Sequence, residues 1–277
     1  MKRRGITIFR WVCLIISFFF LLFSGNYIGQ KIEWIKLPVF SCALSPSSAV
    51  DSICKTVVDI DEWIFSSTML YTLIGIGVFL ILIKLFGRLF CGYVCPFGFV
   101  QEILSSIRKK LKLPSLKFSQ KTVTYFNIFK WVMVIGFILG IGYCDLCPIR
   151  YIMLPLAGMV SGTDFLGIIL AAIIIGLAFF KERIFCQICP IGAIAGVCNK
   201  SSLARIKKKG VSCTHCRACI EVCPMDIHEI YEEREQTNLT KQECIYCMKC
   251  IEICPEKDAL KFEMCGKTIL KSKRKTR

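Results

Sequence analysis

The chain has 277 residues, 55% of them hydrophobic, and carries 36 Lys and Arg against 20 Asp and Glu for a formal net charge of +16. With a mean hydropathy of +0.58, this composition excludes an ordinary soluble globular domain. The two histidines, His215 and His228, both fall in the C-terminal cysteine-rich segment, which excludes a bundle of intramembrane histidine pairs holding haem.

Crossing a bilayer takes about 20 mostly apolar residues. Four stretches meet that requirement: Trp11 to about Ile28, about Trp63 to Ile83, about Tyr125 to Tyr143, and roughly Gly158 to Phe180. Lys84 and Lys130 lie near the predicted cytoplasmic ends, where long side chains are expected to snorkel to water. The N-terminus opens MKRR, and residues 87–124 hold seven Lys or Arg against the single acid Glu102. Residues 29–66 hold three basic residues and five acidic ones. Because Lys and Arg are retained on the cytoplasmic side, the sequence predicts a multi-pass protein of the cell (cytoplasmic) membrane with both termini cytoplasmic.

The second stretch is followed by FCGYVCPFG at 90–98 and the fourth by FCQICPIG at 185–192. Aligning them pairs Cys91 with Cys186, Cys95 with Cys189, Pro96 with Pro190 and Gly98 with Gly192; the second copy is one residue shorter between its cysteines. Upstream, FSCALSP at 40–46 matches GYCDLCP at 142–148, pairing Cys42 with Cys144 and Ser45 with Cys147. The predicted fold is therefore an α-helical membrane protein of four transmembrane helices, a duplicated helical hairpin (about 1–111 and 112–198) with a parallel pseudo-two-fold. Proline after each pair suits the first position of a new helix, where its missing N–H costs nothing. Following it, PFGFVQEILSSIRKKL predicts an amphipathic helix with Val100, Leu104, Ile107 and Leu111 on its apolar face.

The symmetry brings Cys91, Cys95, Cys186 and Cys189 to one membrane boundary, a candidate site for a further cluster or redox centre. Cys42, Cys54, Cys144 and Cys147 fall on the opposite, oxidising side, where disulfides and a metal or redox centre both stay open. Cys13, Cys198 and Cys265 read as small apolar residues or incidental thiols.

From Cys213 the chain reads CTHCRACIEVCP and from Cys244 CIYCMKCIEICP. Both are C-x2-C-x2-C-x3-C-P, the run that holds 4Fe-4S clusters in bacterial two-cluster ferredoxins, where the fourth cysteine ligates the other cluster. The candidate sets are Cys213, Cys216, Cys219 and Cys254 for one cluster, and Cys244, Cys247, Cys250 and Cys223 for the second. Soft thiolates suit iron–sulfur chemistry, and two complete repeats with both prolines are far more specific than the CxxC pairs of a zinc site. An α+β ferredoxin domain is thus predicted over 199–264, following a transmembrane domain over 1–198 and preceding a basic tail over 265–277. Residues 213–265 hold eleven acidic and six basic residues, between basic flanks. On a membrane protein such flanks face anionic headgroups, and no nucleic-acid partner is expected.

Together, FCGYVCPFG, FCQICPIG and the paired ferredoxin runs resemble the NapH/NosR-type membrane polyferredoxins over roughly residues 60–262. The resemblance implies four spans, cytoplasmic 4Fe-4S clusters and electron exchange among quinol, clusters and extracytoplasmic redox partner proteins. It carries over the eight ferredoxin cysteines, and Cys91, Cys95, Cys186 and Cys189 as the boundary motif. The family motif is C-x3-C-P in both copies; C-x2-C-P here departs from it. The expected function is a membrane-bound iron–sulfur relay to a quinone pool or an extracytoplasmic acceptor. Two alternatives stay open: a transmembrane thiol–disulfide relay through Cys144/Cys147 and Cys186/Cys189, and a redox-sensing assembly or regulatory factor for a respiratory metalloenzyme.

Overall fold

A computed structural model describes residues 5–27, 77, 80–116, 118, 120–138, 151–152, 165–235 and 237–273. Cys42, Cys54, Cys144 and Cys147 lie outside them, as does most of the second predicted span. The N-terminal part is helical: α1 (Gly5–Tyr27), a helical stretch over 80–86, α2 (Leu89–Tyr93), α3 (Pro96–Lys110), α4 (Gln120–Ile138), α5 (Phe165–Phe180), α6 (Ile184–Ile188) and α7 (Pro190–Asn199). The repeat is visible in the packing. Helix α1 packs on α2 and α3 as α4 packs on α6 and α7, and the halves interlock where α3 lies on α5 and Ile83 meets Ala195 of α7.

The four-transmembrane-helix fold is corrected here: among the described residues no helix is long and apolar enough to cross a membrane. The physical reasons differ between segments. Among the described residues helix α5 covers 16, short of the ~20 a span requires. Helix α4, at 19 residues, carries Asn127 and Lys130 along its length. Arg10 lies two turns into α1 and is committed to an ion pair with Glu102, leaving fewer than about 20 residues beyond it. Lys130 does not snorkel. It is 2% exposed, bonds Asn127 Oδ1 at 2.9 Å and lies 3.8 Å from Glu243.

Helix α3 turns its polar side inward. Gln101, Glu102, Ser105 and Arg108 are buried, while Ile107 and Leu111 are exposed. Each buried polar group has a partner. Gln101 Oε1 accepts from Phe185 N at 3.0 Å, Ser105 Oγ donates to Glu102 O at 3.1 Å, and Arg108 donates to Phe180 O at 2.6 Å. Arg108, Lys109 and Lys110 close the helix, where positive charge complements its dipole.

The C-terminal part is a small α+β unit. Strands β1 (Ala204–Lys208), β2 (Leu260–Met264) and β3 (Lys267–Lys271) form an antiparallel sheet in that order, with Ile206 opposite Phe262. Between β1 and β2 lie the short helices α8 (Ala218–Glu221), α9 (Glu229–Glu232) and α10 (Lys249–Ile253). Ile206, Met225, Ile230, Ile245, Ile251 and Phe262 form its core. Two polar groups fix the frame. Tyr246 Oη donates to Ala204 O at 2.7 Å, and buried Lys208 donates to the carbonyls of Ile230, Tyr231 and Glu233 at 2.9, 3.0 and 2.7 Å, closing the end of α9. Lys267–Lys271, in the segment expected as a basic tail, forms the exposed edge strand; lysines at such an edge discourage further strand pairing.

Candidate functional site

The two ferredoxin motifs wrap two cavities. One is lined by Cys213, Cys216, Cys219 and Cys254, with Tyr231, Pro255 and Leu260. The other is lined by Cys223, Cys244, Cys247 and Cys250, with Ile206, Met225 and Ile245. Each motif therefore contributes its fourth cysteine to the cavity of the other. The wrapping is written into the backbone. His215 and Arg217 in the first motif, and Tyr246 and Met248 in the second, occupy corresponding places at φ 54, 59, 51 and 58. Left-handed backbone at a non-glycine residue costs about 1–3 kcal/mol and persists where the surroundings enforce it. Such turns gather backbone N–H groups into concavities that suit anions, Fe–S sites included.

A 4Fe-4S cluster fits both cavities by donor chemistry: each has four soft sulfurs and largely apolar walls, and Glu256 is the one acidic residue lining the first, the second having none. Among the described residues no three His, Cys, Asp or Glu side chains converge as a single metal ion requires. The cysteines ring a cavity instead, as a cubane with a sulfur at each iron demands. Burial pushes the Cys223 thiol up to about 12, with Cys247 adding to it, and pushes Cys244 and Cys250 up as well. Such thiols stay protonated until a metal takes them as thiolates.

The second cysteine set is also brought together. Cys91 lies on α2 and Cys186 on α6; Cys95 and Cys189 are the N-cap residues of α3 and α7. The one-residue difference between the copies is absorbed at Val94, an αR step (φ −115, ψ −30) between α2 and Cys95. Cys95 (φ −62, ψ 115) and Cys189 (φ −63, ψ 123) then have matching backbones, each followed by proline at the helix start. Burial pushes Cys95 up to about 12, with Cys186 and Cys91 contributing. Burial also raises Cys91 and Cys189, and for Cys189 all three other thiols add to the effect. Donors reach the sulfurs, among them Gln101 Nε2 to Cys186 at 3.9 Å and Gly192 N to Cys189 at 3.5 Å. Both amide atoms of buried Gln187, between the two cysteines of the second copy, lack a partner among the described residues.

The second ferredoxin motif sits directly on this site. A Cβ on Gly92 would collide with the Ile245 carbonyl, so Gly92→Ala is expected to cost about 1–3 kcal/mol as an overpacking change, measurable by thermal unfolding. Asn199 Nδ2 donates to the carbonyls of Lys241 and Cys244 at 3.0 and 2.8 Å, and Arg88 to that of Gln242 at 3.2 Å. Charges complete the seating. Glu102, 3% exposed, accepts from Arg10 and from Arg183 (2.9 Å), with Lys249 of the second motif at 3.6 Å. Lys249 also pairs with Glu182, and Lys181 at the end of α5 with Asp226 beyond Cys223.

Burial alone raises the Glu102 carboxyl, but Arg183, Lys249 and Arg10 outweigh it and hold it below its ordinary 4.5. A carboxylate depressed on folding contributes stability above its unfolded value, lost as pH falls. The ferredoxin unit is therefore expected to loosen from the helical part below about pH 4.5. Limited proteolysis with an acid-active protease, carried from neutral pH to well below pH 4.5, checks this, and Glu102→Gln should flatten the response.

Sequence reasoning missed Arg88, Arg183, Asn199 and Lys249. One signal was present: an arginine stands three residues before the first cysteine in both copies, RLFC and RIFC.

Comparison with known proteins matches this geometry. The 4Fe-4S binding domain family matches twice, over residues 68–114 and 163–209, and the 4Fe-4S dicluster domain family over 205–255. An uncharacterized protein of Methanocaldococcus jannaschii is 30% identical over 182 residues, covering 64% of this chain and 67% of its own length. The methylamine utilization ferredoxin-type protein MauN of Paracoccus denitrificans is 28% identical, covering 58% of this chain and 56% of its own. Ferredoxin-type protein NapH of Haemophilus influenzae is also 28% identical, covering 55% and 53%. No solved structure matches. Two cavities ringed by cysteine, under matched 4Fe-4S families, define a ferredoxin-type iron–sulfur electron-transfer protein. Within that class, the chain belongs to the NapH/NosR-type polyferredoxin family.

Proposed function

We propose that this protein passes single electrons between a two-cluster ferredoxin unit and a third centre built by the duplicated motif. Cys213, Cys216, Cys219 and Cys254 would hold one cluster, Cys223, Cys244, Cys247 and Cys250 the second, and Cys91, Cys95, Cys186 and Cys189 the third. When bound, 4Fe-4S clusters supply one-electron storage at potentials set by charge, burial and hydrogen bonds to sulfur. The observation carrying the reading is the shared core of the second and third sites: buried Cys186 belongs to the same apolar cluster as Cys244, Tyr246 and Cys250.

The chain's residues perform three tasks in this reading. The thiolates fix the centres, Gln101 and the Gly192 N–H donate toward sulfur, and the glycine contact at Gly92 keeps two sites close without side chains between them. The organisation is a helical redox module over 1–198 carrying the repeat, followed by the ferredoxin unit over 199–264. Exposed Ile8, Phe9, Phe19, Ile128, Val132, Phe165 and Leu166 on α1, α4 and α5 support work at a membrane, since apolar patches of this kind mark lipid or partner contact. The redox partner there is a quinone or a partner protein.

Anoxically purified protein is expected to hold about twelve iron atoms, four per cluster. About eight would remove the third centre, and about four would refute the double ferredoxin. Quinol-dependent reduction, followed by the visible absorption of the clusters, tests the quinone partner.

A further inference from the structure

We propose that Arg88 and Arg183 are reciprocal positioning residues of the four-cysteine centre, each anchoring the opposite copy's motif, and that Arg88 supplies the fixed positive charge facing its thiolates. The proposal rests on the reading of Cys91, Cys95, Cys186 and Cys189 as cluster ligands.

The two arginines are equivalent in the repeat and exchange partners across it. Arg88 Nη2 donates to Cys186 O at 2.6 Å, and Arg183 Nη1 to Cys91 O at 2.9 Å. Each guanidinium also lies over the other copy's glycine: a Cβ on Gly192 would stand 2.8 Å from Arg88 Nη2, and one on Gly98 would collide with Arg183 Nη1. The glycines that follow the two prolines are therefore the space into which the arginines fit. Both arginines are essentially inaccessible, at 1% and 0% exposure, and the Nε of each has no partner among the described residues.

Their charges are handled differently. Arg183 also faces the Cys186, Cys95 and Cys91 sulfurs, but its charge is balanced by the Glu102 carboxylate at 2.9 Å. Among the described residues the Arg88 guanidinium donates to carbonyls, those of Cys186 and Gln242, and its charge acts on the Cys91 thiol. A neighbouring cation, Lys130, faces Glu243. A buried guanidinium without a carboxylate is costly, and the anionic groups at hand to offset it are the cysteine sulfurs once they are thiolates. Reduction by one electron, taken from the adjoining ferredoxin site, which is oxidised by one, adds a negative charge and breaks no bond. A fixed cation at that place favours the reduced form.

The test is an anoxic redox titration by electron paramagnetic resonance, with iron content, on wild type, Arg88→Gln, Arg88→Lys and Asn199→Ala. Removing the charge should displace the third centre's one-electron equilibrium at least tenfold toward the oxidised form, about 59 mV. Arg88→Lys should recover more than half of that. Asn199→Ala loosens the same ferredoxin loop without changing charge and should move the potential less than threefold. An Arg88→Gln protein with full iron and an unmoved potential overturns the proposal, as does Asn199→Ala reproducing its shift. Should Arg88→Gln fail to accumulate, Arg88→Lys decides: faster loss of about four irons to a chelator at a near-normal potential supports positioning with retained charge, and a tenfold displaced potential overturns it. Wild type holding about eight irons refutes the four-cysteine reading itself, a result separable from any effect of the arginines.

Discussion

Cys254→Ala is expected to deplete the cavity of the first motif, although Cys254 stands in the second. Its sulfur lines the same space as Cys213, Cys216 and Cys219, while Cys223 of the first motif lines the space of Cys244, Cys247 and Cys250. Each variant should lose about four irons. The identity of the lost cluster is read by combining Cys254→Ala with Cys213→Ala, then with Cys244→Ala. The first pair should lose no more iron than either single change, and the second about twice as much. The reverse pattern would mean that each motif keeps its own cluster. The surviving cluster should also be less stable to air in both single variants, because every ligand set ties two loops and the remaining loop is held at one end only.

Glu102→Ala should be the most damaging substitution outside the cysteines. It leaves Arg10 and Arg183 buried at 0% exposure without their carboxylate and removes one of two acids facing Lys249. Breaking a buried ion pair by removing one partner costs about 3–5 kcal/mol, because the surviving charge stays desolvated. Thermal unfolding followed by circular dichroism and by cluster absorption should separate into two transitions, the ferredoxin unit keeping its own. A single unshifted transition would show that the two parts are held by the apolar contact alone. Glu102→Gln, which keeps an acceptor for one arginine, should lie between the two.

The ferredoxin cavities were legible because cluster geometry constrains sequence spacing directly: three thiolates and a proline fall at fixed intervals whatever surrounds them. The convergence of Cys91, Cys95, Cys186 and Cys189 was legible for another reason, the duplication itself. The partners that hold these pieces together were not. Glu102 joins Arg10, Arg183 and Lys249 across 92, 81 and 147 residues of sequence, separations at which no local pattern speaks. Its one trace was as the lone acid among the seven bases of 87–124. The span expectation failed because hydropathy weighs residues one at a time. It left Arg10 just outside the first stretch and counted Lys130 as an isolated interruption, whereas each meets a specific partner supplied by the folded chain, Glu102 for Arg10 and Asn127 for Lys130. The amphipathic reading of α3 likewise found the apolar stripe correctly but missed that the polar stripe has the partners needed for burial.

Val94 shows how the two copies could diverge without losing their common centre. The extra residue sits before the cysteine, as a helical step off the end of α2, and the turn into the helix at Cys95 and Pro96 has the same form as the turn at Cys189 and Pro190. Position is thus measured from the proline that opens the helix, not from the cysteine upstream. Insertions and deletions on the near side of that landmark change only the approach of the chain, so drift in loop length between the halves is tolerated there. The same change made just beyond the proline would carry Gly98 or Gly192 out from under its arginine.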